Sequence, residues 1–138
     1  MRFFLDSNVI FSAARSPDGR GRALFLLAGR DMCELVSSPH GIAEARRNIE
    51  INFPDHAGEL EALIEQIDVA AEAAQEEVAW ALVQSLPAGT APILAAAVGA
   101  SVEFLVTGDR THFGHLCGKT LRGVKVILPE DALEEVIF

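Results

Sequence analysis

Short apolar runs alternate with longer segments of helical periodicity along the whole chain. The runs rich in Phe, Val, Leu and Ile are too short for helices and are typical of buried strands. We predict strands at residues 2–5 (RFFL), 33–38 (CELVSS), 102–109 (VEFLVTGD) and 124–128 (VKVIL), with a short edge strand at 69–73 (VAAEA).

The segments between these strands predict helices, whose ends are marked by capping residues, Gly and Pro. The first helix is predicted to start at Ser7 or Asn8, and the second to end at Gly29. A third helix should run from Ser38-Pro39 to about Asn52. Further helices are predicted at 60–67, 75–86 and 93–100, and a last one after Pro129. Strands that alternate with helices predict an α/β fold, with a mostly parallel central sheet flanked by helices on both faces. We expect a single domain over residues 1–138.

Two helical segments carry apolar stripes. Leu60, Leu63, Ile64 and Ile67 recur at i, i+3, i+4 and i+7, which indicates one core-facing stripe, with a groove for a partner helix as the alternative. In the segment 75–86 the inward-facing candidates are apolar: Val78, Leu82, Trp80 and Val83.

Composition places the chain among folded globular proteins, since half of its residues are hydrophobic and 22% are charged. No apolar stretch approaches the roughly 18 residues that a membrane span needs. Asp6 interrupts the first apolar run too early for a signal peptide, so we expect a cytoplasmic protein. Cys33 and Cys117 lack the spacing of metal ligands and are too few for a disulfide framework.

The net charge of −9 is unevenly distributed along the chain. Residues 51–80 hold eight Asp and Glu and no Lys or Arg, whereas the first thirty residues hold five Arg against two Asp. This asymmetry is compatible with a phosphate-bearing substrate that approaches one side only, although a solvated acidic helix face is the simpler interpretation.

Two of the predicted strands lead directly into an aspartate: Asp6 follows RFFL, and Asp109 follows EFLVTG. Parallel sheets place ligands beyond the carboxyl ends of their strands, so both carboxylates are expected in one crevice. Glu44, which lies off the apolar side of its helix, is a third candidate. Clustered carboxylates repel one another, and Mg²⁺ or Mn²⁺ would relieve that repulsion, activate water and neutralise phosphodiester charge.

Each residue also has a simpler interpretation. Asp6 and Asn8 would serve as helix caps, Asp109 as a turn residue, and Glu44 as a surface residue paired with Arg47 or Asn48. His112 and His115 have i, i+3 spacing, but no third nitrogen or sulfur ligand for zinc is evident, which favours packed or surface histidines. The three acids together are more specific than any one of them.

The segments FFLDSNVIFSA, SSPHGIAEARRN and APILAAAVGASVEFLVTGDRTHF, in this order and spacing, resemble the PIN-domain family. These are small metal-dependent nucleases that include the VapC-like toxins of bacterial toxin–antitoxin pairs. The resemblance covers essentially the whole chain, and LDSNV and LVTGD are its most specific parts. It implies RNA cleavage by metal-activated water, Mg²⁺ or Mn²⁺ as cofactor, an antitoxin partner and a homodimer.

Carried over residue by residue, the resemblance makes Asp6, Glu44 and Asp109 the catalytic, metal-binding acids. Asn8 would support the first acid and Thr107 would shape the last turn. The family usually has a further aspartate directly before APIL, where this chain has Thr90. A hydroxyl adds no negative charge, so we expect metal to bind more weakly than at a four-acid site.

Other charged residues have less defined roles in the sequence. Glu103, Glu130 or Asp131 would replace the missing acid only if the fold brings one of them near. The arginines of the glycine-containing loop are candidate phosphate contacts, with a solvated loop as the alternative: Arg15, Arg20 and Arg22.

Three functions follow from these observations. The first is a metal-dependent endoribonuclease, the toxin of a toxin–antitoxin pair. The second is a catalytically impaired PIN-like module that binds RNA or protein, which the threonine at position 90 favours. The third is a phosphatase with Asp6 as nucleophile, which Asn8 disfavours because it stands where a second, acid–base aspartate is needed.

Overall fold

A six-stranded sheet runs through the middle of the molecule. The computed structural model describes residues 1–138. The strands are β1 (Arg2–Leu5), β2 (Glu34–Ser37), β3 (Ile67–Val69), β4 (Phe104–Val106), β5 (Thr120–Leu121) and β6 (Val124–Ile127). Their order is β3-β2-β1-β4-β6-β5, and every pair is parallel except the β5–β6 hairpin. The predicted mostly parallel α/β fold is therefore confirmed.

Eight helices connect and cover the strands. They are α1 (Ser7–Arg15), α2 (Arg20–Gly29), α3 (Pro39–Asn52), α4 (Ala57–Ile64), α5 (Gln75–Leu82), α6 (Ala91–Gly99), α7 (Arg110–Phe113) and α8 (Pro129–Ile137). Short 3₁₀ turns lie at Pro54–His56 and Gly114–Leu116. None of these helices combines the length and the apolar character that crossing a bilayer requires.

Alternation along β1 divides the interior into two cores. Phe3 and Leu5 face one side, where α1, α2, α3, α4 and α8 contribute buried side chains. Phe4 faces the other side and packs with the nearly all-apolar α6. Both faces of the sheet are covered, which explains why β1 reads as a continuous apolar run rather than an alternating one.

Small residues set the distance between α3 and its neighbours. A Cβ on Gly41 would lie 2.8 Å from Ser37 Oγ and 3.3 Å from Ile93 Cδ1, so the glycine lets α3 approach β2 and α6 closely. Ser38 caps α3 by accepting a hydrogen bond from the Gly41 backbone N–H at 3.2 Å. The close approach and the cap together fix the position of α3 relative to the sheet, and therefore the position of Glu44 on that helix.

Several boundaries differ from the sequence-based predictions. Ile67 begins β3 beside Leu35 instead of extending the α4 stripe, and the edge strand therefore lies at Ile67–Val69 rather than 69–73. The inward-facing assignments of Leu82 and Val83 are wrong, because these side chains are 43% and 79% exposed. The short Ala81 is the buried residue of α5, and it allows that helix to lie close to α6.

Candidate active site

Three acidic side chains line one cleft at the carboxyl edge of the sheet. β1 and β4 are parallel neighbours, so the residues that follow them, Asp6 and Asp109, emerge side by side, and α3 brings Glu44 to the same place. The cleft has a volume of about 380 Å³ and is lined by Asp6, Ser7, Asn8, Glu44, Pro87, Gly89, Thr90, Ile93, Asp109 and His112. No Lys or Arg is among these residues.

Asp6 is the most buried of the three acids, with only 5% of its surface exposed. Its Oδ1 accepts a hydrogen bond from the Ser7 backbone N–H at 2.7 Å, and its Oδ2 accepts one from the Thr107 hydroxyl at 2.8 Å. Asp6, rather than Ser7 or Asn8, is also the N-cap of α1. The cap and the cleft acid are thus the same side chain.

The turn after β4 is tied to Asp6 through two polar side chains. The fully buried Thr107 hydroxyl donates to Asp6 and accepts from the Asp109 backbone N–H at 3.0 Å. The Asn8 side-chain oxygen accepts from the Gly108 backbone N–H at 3.1 Å. These bonds connect the start of α1 to the turn that carries Asp109.

Glu44 has its partners across the cleft and one turn back along its own helix. Its Oε2 accepts from the Ser7 hydroxyl at 3.0 Å, and its Oε1 lies 2.8 Å from His40 Nε2. His40 Nε2 also lies 2.9 Å from the Gly89 carbonyl oxygen. Because a carbonyl oxygen can only accept, the hydrogen bond to Gly89 requires that His40 Nε2 carry a proton.

Asp109 likewise has a histidine partner. It caps α7 by accepting from the His112 backbone N–H at 3.0 Å, and its other oxygen lies 2.7 Å from His112 Nδ1. Neither histidine–carboxylate pair was predicted from the sequence as a feature of the site. The i, i+4 spacing of His40 and Glu44 and the i, i+3 spacing of Asp109 and His112 were the available signals.

Burial dominates the electrostatics of Asp6. Desolvation raises the pKa of its carboxyl group from 3.8 to about 6, against the opposing hydrogen bonds from Thr107 and Ser7. The negative charges of Asp109 and Glu44 raise it further. The Asp6 carboxylate is therefore a charge that the surrounding protein stabilises incompletely.

The donor set fits a hard divalent cation, because carboxylate oxygens are what Mg²⁺ and Mn²⁺ prefer and the cleft lacks a cationic Lys or Arg. In the present arrangement no three His, Cys, Asp or Glu side chains converge closely enough to hold a metal ion. The carboxylates of Glu44 and Asp109 are engaged by His40 and His112 instead. A bound cation would compete with these two histidines for the carboxylate oxygens.

Position 90, where the resemblance leads us to expect an acid, also lies in the cleft. Thr90 stands at the N-cap of α6, but its side chain makes no capping hydrogen bond. None of the three candidate substitutes lines the cleft. Glu130 lies in an adjoining cavity, Asp131 accepts from the Leu128 backbone N–H at the start of α8, and Glu103 precedes β4 at the opposite end of that strand.

The arginines of the glycine-containing loop separate into three environments. Arg15 stacks on the Phe53 ring, with its guanidinium carbon 4.6 Å from the ring centroid. Arg22 donates to the Ala13 carbonyl oxygen and to Glu59, both at 2.7 Å. Arg20 lines the cavity that adjoins the acidic cleft.

His115, the second histidine of the pair considered for zinc, does not line the cleft. His115 Nε2 lies 2.7 Å from the Gln84 carbonyl oxygen. His112 Nδ1 lies 2.7 Å from an Asp109 oxygen, so the two histidines have separate partners.

The family model described as the PIN domain matches residues 2–111, so this chain belongs to the PIN-domain family. No match was found among curated proteins. Among solved structures, the fold is similar to VapBC2 from Rickettsia felis bound to a DNA fragment from its promoter, with a TM-score of 0.70, 14% identity, and 93% of this chain and 98% of that chain covered.

Two further structures share the fold. PAE2754 from Pyrobaculum aerophilum has a TM-score of 0.68 at 18% identity, with 99% of this chain and 96% of that chain covered. VapC20 from Mycobacterium tuberculosis, described as a sarcin–ricin-loop-cleaving toxin, has a TM-score of 0.59 at 12% identity, with 79% and 91% covered. At these identities the likeness shows the fold alone.

The raised pKa of Asp6 predicts a pH-dependent stability in metal-free buffer. A folded-state pKa of about 6, above the ordinary 3.8, gives a stabilisation that is fully present below pH 3.8 and is lost as pH rises through 6. Asp6→Asn stays neutral, so its free energy of unfolding relative to wild type should grow by about 2–3 kcal/mol between about pH 4 and about pH 8.

Urea unfolding in EDTA measures this difference. Asp55→Asn, which changes an exposed acid outside the cleft, is the matched control and should show no such trend. A difference between Asp6→Asn and wild type that stays constant with pH would contradict the proposed electrostatics.

Proposed function

We propose that this chain is a metal-dependent endoribonuclease that acts as the toxin of a toxin–antitoxin pair. Asp6, Glu44 and Asp109 would hold Mg²⁺ or Mn²⁺. The observation that carries the proposal is the meeting of three carboxylates, without a Lys or Arg side chain, at the carboxyl edge of a parallel sheet. Membership of the PIN-domain family agrees with this use of the cleft.

A divalent cation in this cleft would supply an activated water and neutralise negative charge on the phosphodiester. The protein's own contribution is to hold the acidic side chains in position. The bonds of Thr107 and Ser7 hold the Asp6 carboxylate at one orientation, and the bond between Asn8 and Gly108 keeps the Asp109 turn beside it. Carboxylates fixed in this way lose little side-chain entropy when they bind a cation.

His40 and His112 define a second arrangement of the same acids. In the free protein they lie 2.8 and 2.7 Å from the Glu44 and Asp109 carboxylates. Cation binding would release these carboxylate oxygens from the ring nitrogens. A cation that had to displace these two contacts would bind more weakly than at a site whose acids are free.

The substrate and the partners are proposed from the fold relatives and the family. VapC20 is a toxin that cleaves the sarcin–ricin loop, and RNA is accordingly the proposed substrate class here. An antitoxin protein is the proposed partner of this chain, because the PIN-domain family includes toxins of toxin–antitoxin pairs and the fold is shared with VapBC2. A homodimer is proposed from membership of the family.

Neutralising one acid tests the activity directly. Asp6→Asn and Asp109→Asn should each reduce Mn²⁺-dependent RNA cleavage by more than about a hundredfold, because even outer-shell partners of metal ligands are worth about 10–100-fold. The fold should survive, as circular dichroism would show. Asp55→Asn is the matched control, and the proposed site is wrong if both cleft variants cut RNA as fast as wild type.

A second candidate function is a PIN-domain module that binds RNA or protein without cleaving it. The observation in its favour is Thr90, which brings a hydroxyl where the family usually has an acid. The engagement of Glu44 and Asp109 by histidines points the same way, because both effects weaken cation binding.

Restoring the acid distinguishes the two candidates. Thr90→Asp should raise Mn²⁺ affinity by about tenfold, since affinity at oxygen-ligand sites rises with ligand charge. Thr90→Asn is the matched control, because it offers α6 the same capping oxygen without the charge. Calorimetry measures both. Equal affinities for the two variants would place position 90 outside the cation's reach, and cleavage gained only in Thr90→Asp would favour the impaired module.

A further inference from the structure

A second cavity adjoins the acidic cleft and has the opposite character. It has a volume of about 330 Å³ and is lined in part by Arg20 of α2, Arg110 of α7 and Glu130 of α8. We call it the arginine pocket. Asn8 lines both cavities, and Gly108 of the arginine pocket directly precedes Asp109 of the cleft. The two cavities are therefore immediate neighbours.

The two guanidinium groups of the arginine pocket are only loosely engaged. A single carboxylate lies between them, with Arg20 Nη1 at 3.3 Å and Arg110 Nη2 at 3.8 Å from Glu130. Both distances exceed the roughly 2.7–2.9 Å that is usual for charge-assisted hydrogen bonds. The arginine side chains are 66% and 73% exposed, so most of their donors face solvent.

Arg22, on the same helix as Arg20, is by contrast held by structural hydrogen bonds. It donates to two backbone carbonyl oxygens and to Glu59, and its side chain is mostly buried. Arg20 and Arg110 have no such partners. They share only the weakly bonded carboxylate of Glu130, so their donors remain available to another anion.

We infer, on the basis of the proposed nuclease function, that the arginine pocket binds an RNA backbone phosphate adjacent to the one in the acidic cleft. Glu130 occupies the phosphate position in the free protein. Arg20 and Arg110 approach from different helices, so together they fit a phosphate that presents oxygens on two sides. Phosphate contacts of this kind position a strand and are independent of its sequence.

The negative net charge of the whole chain makes a local positive site necessary for RNA binding. With a net charge of −9 the protein repels RNA at long range, and the acidic cleft repels it further when no cation is bound. A pair of loosely engaged guanidinium groups beside the cleft offsets that repulsion at the place where the strand must lie. Glu130 limits the attraction, so an RNA that fails to displace it is held weakly.

RNA binding without cleavage tests the inference. The probe is a short fluorescein-labelled single-stranded RNA in EDTA, measured by fluorescence anisotropy at several salt concentrations. The double variant Arg20→Gln/Arg110→Gln should bind about tenfold more weakly or worse, and its logarithmic salt slope should fall by about 0.7 for each phosphate that is no longer neutralised. Glu130→Gln should bind about two- to fivefold more tightly, because it removes the competing charge.

Matched controls separate the pocket from general charge effects. Arg30→Gln/Lys119→Gln removes the same charge from residues outside both cavities and should bind RNA nearly as wild type does. An uncharged morpholino oligomer of the same sequence should not distinguish wild type from any variant. The substituted residues are exposed or half-buried, so each variant should keep the fold, and thermal unfolding of every variant checks this.

The outcomes separate this inference from the nuclease proposal. If the double variant binds RNA as tightly as wild type, or if Glu130→Gln weakens binding, the arginine pocket is not a phosphate site, whether or not the protein cleaves RNA with Mn²⁺. If the variants shift binding in opposite directions while wild type fails to cleave with Mn²⁺, the pocket stands and the nuclease proposal falls.

Discussion

A carboxylate removed from water at the end of a parallel strand needs a compensating charge, and at Asp6 the protein supplies only hydrogen bonds. The Ser7 backbone and the Thr107 hydroxyl each satisfy one oxygen, yet burial still holds the pKa of Asp6 at about 6. Asp109 and Glu44 add negative charge instead of relieving it. The proposed cation would offset a negative charge that originates in the fold, at the edge where Asp6 and Asp109 follow the adjacent strands β1 and β4.

Two of the three acids have a structural role at the same time. Asp6 caps α1 and Asp109 caps α7, so the helix starts and the proposed ligands are specified by the same side chains. Ser38 at the start of α3 and the close approach at Gly41 set the position of Glu44. This double use explains why simple capping and a metal site were both reasonable interpretations of Asp6.

Much of the fold was readable because burial on both sheet faces leaves uninterrupted apolar runs, as in residues 2–5. The placement of Asp6 and Asp109 followed from the rule for strand ends. Ile67 was misassigned because its spacing fits a helix stripe as well as a strand, and only pairing with Leu35 decides between them. The arginine pocket was not readable, since Arg20 and Arg110 meet Glu130 only after α8 docks against α2.

Cation binding by the free protein tests the central claim most directly. Calorimetric titration of Mn²⁺ into wild type and into Asp6→Asn, at moderate ionic strength, compares a cleft with three acids to one with two. We expect measurable binding to wild type and its loss in Asp6→Asn. Equal binding to both proteins, or no binding to wild type at millimolar Mn²⁺, would contradict the claim that the buried carboxylate of Asp6 is stabilised by a cation.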